Sequence, residues 1–184
     1  MSSFEFRRAV PEDAEKLSHL IKNAMVTYCV ESSIPEDHLE SMTEEVETIR
    51  DRIENNYCLC CFDGEEPVGT ITLSLVFNPL KFNFSDKTME YLSGIELAGY
   101  ISRFAVRRDL RSTGLGIELM NGALELASRK GCGHALLHTA VTNTRMVTFY
   151  KNRGFEVIDS EQSRGYMRGL LGMSLSGLDV KPSE

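Results

Sequence analysis

Short apolar runs and amphipathic stretches alternate along the first half of the chain. Residues 4–10 predict an opening strand. Pro11 and the two acidic residues after it are typical of a first helical turn, and apolar positions at three- and four-residue spacing continue that helix. The same spacing predicts a second helix over residues 38–55. Two apolar runs, residues 57–62 and 67–77, flank Asp63-Gly64 and predict a hairpin.

The pattern of apolar and polar positions is more regular after residues 78–98. That segment mixes aromatic and polar residues without a period and is longer than an ordinary loop, so residues 79–98 are interpreted as a substrate-side insertion. The predicted elements that follow are strand 100–106, helix 114–130, strand 135–141, helix 143–152, a strand from residue 154 and a strand over 166–175. The tail, residues 177–184, is expected to fray.

This order of elements predicts an α/β (α+β) fold with a mixed, mostly antiparallel central sheet flanked by helices. With 184 residues, 42% of them hydrophobic and 26% charged, a single domain over residues 1–184 is expected. The net charge of −7 argues against a nucleic-acid-binding protein. No apolar run approaches the roughly 20 residues of a membrane span, and the N-terminus lacks the apolar stretch of a signal peptide. We therefore expect a cytoplasmic protein without membrane contact.

The five cysteines have no C-x-x-C pair and no histidine at ligand spacing. Three of them lie in the apolar run 57–62, which is typical of a buried strand. We interpret all five as reduced core residues, and we predict no metal site.

A glycine-containing loop, residues 111–116, joins the predicted strand 100–106 to the helix after it. The N-terminus of a helix presents unpaired backbone N–H groups and partial positive charge, and glycines let a ligand approach those groups closely. Arg107 and Arg108 add local positive charge. The loop is therefore a candidate phosphate site, the alternative being an ordinary tight turn with solvated arginines. Its residues are Arg111, Ser112, Thr113, Gly114, Leu115 and Gly116.

A second motif follows the predicted strand 135–141. Asn143 is followed after five residues by Phe149-Tyr150, and after three more by Gly154-Phe155. With the Arg-x-x-Gly-x-Gly pattern of residues 111–116, this motif resembles the GCN5-related N-acetyltransferase (GNAT) superfamily. The similarity in motifs covers about residues 100–157, and the order of elements extends it over most of the chain.

The resemblance implies acetyl-CoA as co-substrate, with its pyrophosphate on the amides of residues 111–116. It also implies that the strand before this loop binds the pantetheine arm through its backbone, around Phe104 and Val106. Asn143 matches a position that contacts the cofactor arm, the alternative being a helix N-cap. Tyr150 matches the residue proposed to protonate the departing thiolate, since a phenol can donate that proton. The alternative for Tyr150 is a core aromatic residue.

The catalytic base is where the sequence departs from the family pattern. Many members carry a glutamate on the strand before the loop, and the comparable position here is Tyr100. Glu96 is the nearest carboxylate and our first candidate, followed by His138 and then by bulk water acting on an already neutral amine. For His138, a histidine satisfied in the core is the alternative.

The resemblance implies acetyl transfer from acetyl-CoA to a primary amine, on a small molecule or a peptide, by direct attack in a ternary complex. A CoA-binding or sensing module without turnover is a second hypothesis, motivated by the missing carboxylate. A third hypothesis is an acyltransferase that takes its acyl group from acyl carrier protein. It rests on residues 100–106, which resemble the acyl-homoserine-lactone synthase branch, whose donor is acyl carrier protein. Arg103, Arg107 and Arg108 would meet that acidic partner. The sheet edges are compatible with a homodimer.

Overall fold

The structure, a computed structural model, describes residues 4–177. Its strands are β1 (Phe4–Arg8), β2 (Tyr57–Asp63), β3 (Glu66–Phe77), β4 (Leu97–Val106), β5 (His134–Ala140), β6 (Glu156–Ser163) and β7 (Tyr166–Ser174). Its helices are α1 (Ala14–Ser32), α2 (Glu40–Thr43), α3 (Val46–Asn55), α4 (Asp86–Ser93), α5 (Leu115–Arg129) and α6 (Thr144–Lys151).

The seven strands form one sheet in the order β1-β2-β3-β4-β5-β7-β6. The pairs β1–β2, β2–β3, β5–β7 and β6–β7 are antiparallel, whereas β4 and β5 run parallel. The predicted fold class, a mixed and mostly antiparallel sheet with helices, is confirmed. None of the helices in residues 4–177 is long and apolar enough to cross a membrane.

The chain divides into two compact units. One contains the described residues up to Ser74 together with Ser102–Ala123, and the other contains Leu75–Ile101 and the described residues from Leu124 onward. The prediction of a single domain over residues 1–184 stays a prediction. The tail predicted to fray lies, from residue 178 on, outside the described residues.

In the first unit, α1 and α3 bury their apolar faces against β2. The core residues on these three elements include Leu17, Leu20, Ile21, Ile49, Ile53, Cys58, Cys60 and Phe62. The turn before α1 is fixed by Asp13, whose carboxylate accepts hydrogen bonds from the Val10 N–H at 2.9 Å and from Arg7 at 2.7 Å. The prediction of the first helix is confirmed, although α1 starts three residues later than Pro11, after a 3₁₀ turn over Pro11–Asp13.

All five cysteines are buried free thiols. Cys58 and Cys60 lie 3.2 Å from the hydroxyl groups of Thr72 and Thr70 on β3, which gives each sulfur a polar neighbour. Burial raises the pKa of the Cys60 thiol to about 12 and that of Cys61 to about 11, so both stay protonated at neutral pH. The interpretation as reduced core residues is confirmed.

The helix predicted over residues 38–55 is interrupted, and the prediction of one continuous helix is wrong. Glu44 has an extended backbone between α2 and α3, with φ −63° and ψ 129°. Its side chain is only 2% exposed and accepts hydrogen bonds from Arg103 and Arg52. The apolar spacing continues across this break, so the interruption is caused by an ion pair with a distant strand that periodicity does not show.

In the second unit, residues 78–98, which show no sequence period, contain two short helices. A 3₁₀ turn over Pro79–Phe82 is followed by α4, and β4 already starts at Leu97. Ser85 caps α4 by accepting a hydrogen bond from the Thr88 N–H at 3.2 Å. The segment packs against a core of Leu92, Ile95, Ala98, Leu136 and Leu170.

Candidate active site

The loop before α5 has the backbone that an anion site requires. Ser112 and Gly114 both have positive φ, 65° and 99°, and a Cβ atom on Gly114 would meet nothing within 4 Å. The N–H groups in the first turn of α5 have no acceptors within that helix. A negatively charged group can therefore approach these N–H groups without meeting a side chain at Gly114.

Gly116 sets how closely α5 approaches the end of β4. A Cβ atom at this position would lie 3.2 Å from the ring tip of Phe104 and 3.6 Å from Val106. Three of the residues predicted to bind the cofactor are thus in one place. Leu115 faces the other way and is 4% exposed, so only its backbone is available to a ligand.

The arginines around the loop have structural partners. Arg111 donates to the backbone carbonyl of Val106 at 3.2 Å and to that of Ala24 at 3.4 Å. Arg107 forms a two-pronged pair with Asp109 at 2.8 and 3.0 Å. Arg111 therefore connects the loop to β4 and α1. The negative charge of Asp109 offsets part of the positive charge that Arg107 brings to the loop. The Thr113 hydroxyl donates to the Leu110 carbonyl at 2.7 Å, closing the turn.

Tyr100 and His138 form a hydrogen-bonded pair on the neighbouring parallel strands β4 and β5. The Tyr100 hydroxyl lies 3.0 Å from His138 Nδ1. Phe82 stacks on the Tyr100 ring, with centroids 4.5 Å apart and planes 21° from parallel, and meets His138 edge-on at 5.4 Å. The register of β4 and β5 runs from Ala98 opposite His134 to Ile101 opposite Leu137, so the pair lies at the end of the parallel ladder.

The His138 imidazole is neutral at physiological pH. Burial is the largest cause, and the positive charges of Arg168 and Arg164 add to it, which lowers the pKa of His138 to about 3. Its buried Nε2 atom has no hydrogen-bond partner among the residues that the structure describes. A buried nitrogen of this kind is a place for a water molecule or a substrate group, because leaving it unpaired costs free energy.

Asn143 and Tyr150 stand at the two ends of α6. The Asn143 side chain accepts from the Met146 N–H at 3.0 Å, so Asn143 is the N-cap of this helix. Tyr150 is 7% exposed and meets Phe149 and Phe155 edge-on, with centroids 5.6 and 5.9 Å away. The N-cap alternative for Asn143 is therefore confirmed, and the core position of Tyr150 is as well. Their roles toward CoA stay predictions.

Glu96, our first candidate for the base, is exposed and precedes β4. Its backbone carbonyl accepts a hydrogen bond from the Asn78 N–H at 2.8 Å. The pairing of Tyr100 with His138 was not predicted from the sequence. The available signal was a tyrosine at the family's glutamate position together with a histidine on the following strand. Within residues 4–177, no three His, Cys, Asp or Glu side chains are grouped to hold a metal ion.

The regular extended backbone of β4 is broken at Arg103, whose φ is 50°. A simple alternating pattern would place Tyr100 and Phe104 on one face of the strand. Because the backbone of Arg103 between them is left-handed, the alternating pattern does not place Tyr100 and Phe104 on the same face. The guanidinium of Arg103 is held by Glu44 and Glu40.

The family model "Acetyltransferase (GNAT) family" matches residues 23–155, well over half of the chain. The chain belongs to this family.

Among curated proteins, the chain is similar to N-alpha-acetyltransferase 30. It is 29% identical to the Homo sapiens protein over 118 residues, which cover 64% of this chain and 28% of that protein. The Xenopus laevis protein is also 29% identical over 118 residues, covering 38% of its length. The chain thus spans well under half the length of these relatives.

Two solved structures show the same fold. PaiA N-acetyltransferase from Thermoplasma acidophilum, in complex with coenzyme A, matches with a TM-score of 0.72 at 18% identity, covering 94% of this chain and 99% of that one. Arabidopsis thaliana NAA60, in complex with a bisubstrate analogue, matches with a TM-score of 0.71 at 17% identity, covering 94% and 98%.

Proposed function

We propose that this protein transfers the acetyl group of acetyl-CoA to the α-amino group at the N-terminus of a peptide. The observation that carries the proposal is the Tyr100–His138 pair, a neutral, half-buried imidazole bonded to a phenol and with its buried Nε2 atom unpaired among the described residues. In the tautomer with a proton on Nδ1, that N–H donates to the Tyr100 oxygen and Nε2 offers a lone pair. This lone pair is the acceptor for the amine's proton, directly or through one water.

The weak basicity of His138 favours an α-amine over a lysine side chain. An α-amine has a pKa near 7.7, so about a third of it is neutral at pH 7.4, whereas only about one lysine in a thousand is neutral there. A histidine with a pKa of about 3 cannot hold a proton at this pH, but it can pass one to solvent. It therefore suits an acceptor whose neutral form is already abundant.

The loop at residues 111–116 fits the donor. Its positive-φ backbone and the open space at Gly114 provide a cradle of amides for a pyrophosphate. Acetyl-CoA supplies an activated thioester. The amine nitrogen attacks the thioester carbonyl, the C–N bond forms, the C–S bond breaks, and the amine's proton leaves through His138. Tyr150 then gives its phenolic proton to the CoA thiolate and regains one from solvent.

The relatives support the peptide acceptor. The curated proteins similar to this chain are named N-alpha-acetyltransferase, at 29% identity. The GNAT family match supports the acetyl-transfer chemistry in general.

The acceptor is tested with a panel of matched amines. Purified protein and acetyl-CoA are incubated with peptides that differ only in having a free α-amine with no lysine, or a blocked N-terminus with one lysine, and separately with polyamines. Mass spectrometry locates the acetyl group. The proposal expects acetylation of the free α-amine and a kcat/KM that rises with pH up to the amine's own pKa. Acetylation of the lysine peptide or the polyamines alone would refute the acceptor.

The catalytic pair is tested with Tyr100→Phe and His138→Gln. A base whose pKa matches the working pH contributes about 10²- to 10⁴-fold in rate, and one as weak as His138 contributes less. We therefore expect kcat to fall about tenfold or more in His138→Gln while the affinity for acetyl-CoA stays within a fewfold. Glu96→Gln is the matched control, because it removes the competing candidate. If Glu96→Gln were the inactive variant and His138→Gln kept full kcat, the assignment would be reversed.

A CoA-binding module without turnover is separated by the same experiment. A ligand at about 100 times its Kd stabilises the folded protein by about 2.7 kcal/mol, so acetyl-CoA and CoA should raise the melting temperature by several degrees. Binding without any acetylated product favours the sensing module. The alternative in which acyl carrier protein is the donor is weakened. Arg103 is paired with Glu44 and Arg107 with Asp109, so two of the three arginines proposed to contact that acidic partner already have a carboxylate partner in this chain.

A further inference from the structure

Phe82 is the nearest aromatic neighbour of the Tyr100–His138 pair in the described contacts, and it comes from the segment between β3 and β4. It stacks on one ring and meets the other edge-on, so it contacts both members of the pair. Phe82 itself is half-buried. Its ring therefore covers part of the surface of both members of the pair.

The backbone on both sides of Phe82 is fastened. Before it, the Asn78 N–H donates to the Glu96 carbonyl at 2.8 Å, which ties the segment to the start of β4. After it, the Asn83 side chain accepts from the Thr88 hydroxyl at 2.9 Å, which ties it to the first turn of α4. These contacts make the position of the Phe82 ring a fixed feature of the fold.

We propose that Phe82 is a positioning residue for the reaction: its ring holds the Tyr100 phenol toward His138 Nδ1 and shields part of the imidazole from bulk water. The inference rests on the proposed function for its catalytic meaning. The contact of the Phe82 ring with both members of the pair rests on the geometry alone.

Two consequences follow from this placement. A stacked ring restricts rotation of Tyr100, so the 3.0 Å bond to Nδ1 is held in one direction and the tautomer of His138 with it. A dry imidazole also stays neutral over a wide pH range, because water that would solvate its charged form is excluded. The groups that act on His138 from neighbouring elements include Tyr100, Arg164 and Arg168, and the Lys81 ammonium lies 5.2 Å from the centroid of the Phe82 ring.

Variants without the ring should let His138 gain a proton more easily. Phe82→Leu and Phe82→Met keep an apolar side chain, and Phe82→Tyr keeps the ring. Phe84→Leu is the matched control, since Phe84 packs against the same core but is not among the ring partners of the pair. The imidazole signals of each protein are followed by NMR between pH 5 and 8, with His138→Gln used to assign the His138 signal.

The expected result is that His138 does not titrate between pH 5 and 8 in the wild type, Phe82→Tyr or Phe84→Leu, and that in Phe82→Leu and Phe82→Met its pKa rises by about two units or more, into this range. In kinetics, the acid side of the kcat profile moves to higher pH in those two variants alone. An unshifted His138 in a folded Phe82→Leu or Phe82→Met overturns the inference, as does an equal shift in Phe84→Leu. Because the titration needs no substrate, it decides this inference even if no acetyl transfer is found.

Discussion

Arg103 on β4 holds the buried carboxylate of Glu44, which lies far away in the chain between α2 and α3. The Arg103 Nε atom is 2.8 Å from Glu44 Oε2, and a second guanidinium nitrogen is 3.0 Å from Oε1. Arg52 donates to the same carboxylate. The pair joins a break in the helical segment to a left-handed residue in the strand, so two departures from regular structure share one cause.

Replacing Glu44 by glutamine should destabilise the protein strongly. The change removes the buried carboxylate that two guanidinium groups share, with side chains 13% and 20% exposed, and leaves Arg103 with the exposed Glu40 alone. Breaking a buried pair typically costs about 3–5 kcal/mol. Urea unfolding at pH 7 measures the loss. Glu47→Gln is the control, because the Glu47–Arg50 pair is on the surface and should contribute less than about 1 kcal/mol. Equal losses in both variants would contradict the buried-pair argument.

The same pair gives a defined acid sensitivity. Hydrogen bonds and charge from Arg103 and Arg52 outweigh burial and hold the pKa of Glu44 below its ordinary value of 4.5. A carboxyl with a lowered pKa contributes its full stability above about pH 4.5 and loses it as the pH falls through the folded value. The difference in unfolding free energy between wild type and Glu44→Gln should therefore shrink below pH 4.5.

Two glycines near the start of α5 should respond oppositely to alanine. At Gly114 φ is 99°, so Gly114→Ala strains the backbone by about 1–3 kcal/mol and weakens CoA binding even though the Cβ meets no atom. At Gly122, inside the helix, the nearest atom to a Cβ is Leu59 Cδ1 at 3.6 Å, an ordinary contact. Gly122→Ala should stabilise by about 0.5–1 kcal/mol, because alanine is the better helix former. Calorimetry and CoA titration check both, and a destabilised Gly122→Ala would contradict the packing described here.

The sequence predicted the elements whose signal is local. The spacing of Leu17 and Leu20 indicated α1, and Asp63-Gly64 indicated the β2–β3 hairpin. The anion site at the glycine loop stays a prediction. The break at Glu44 and the left-handed Arg103 were missed because their cause is a contact between distant parts of the chain. The Tyr100–His138 pair was missed for the same reason, since only the parallel ladder of β4 and β5 brings the two together.

Tyr150→Phe should separate chemistry from binding. Tyr150 is nearly buried at the end of α6 beside Phe149 and Phe155, and phenylalanine keeps those edge-on contacts while removing the acid proton. We expect kcat to fall at least about tenfold with little change in acetyl-CoA affinity. Tyr166→Phe, on a half-buried residue of β7, is the control and should keep the wild-type rate. An unchanged kcat in Tyr150→Phe removes this residue from the mechanism.

His138 should make the folded protein less stable as the solution is acidified through a range where few other groups titrate. The pKa of His138 is about 3 in the folded state, and its ordinary value is 6.5. Below pH 6.5 the imidazole therefore binds a proton in the unfolded chain but stays neutral in the folded protein. Stability is therefore complete above pH 6.5 and falls by up to about 1.4 kcal/mol per pH unit below it, or about 2 kcal/mol between pH 6.5 and 5.

Urea unfolding at several pH values between 7.5 and 5 tests this with two variants. His138→Gln removes the titrating group, so its unfolding free energy should depend less steeply on pH than that of the wild type, whatever its absolute stability. His19→Gln changes an exposed histidine and should keep the wild-type slope. Parallel lines for wild type and His138→Gln would mean that the imidazole is not held neutral in the folded protein, and the proton relay proposed for Nε2 would lose its physical basis.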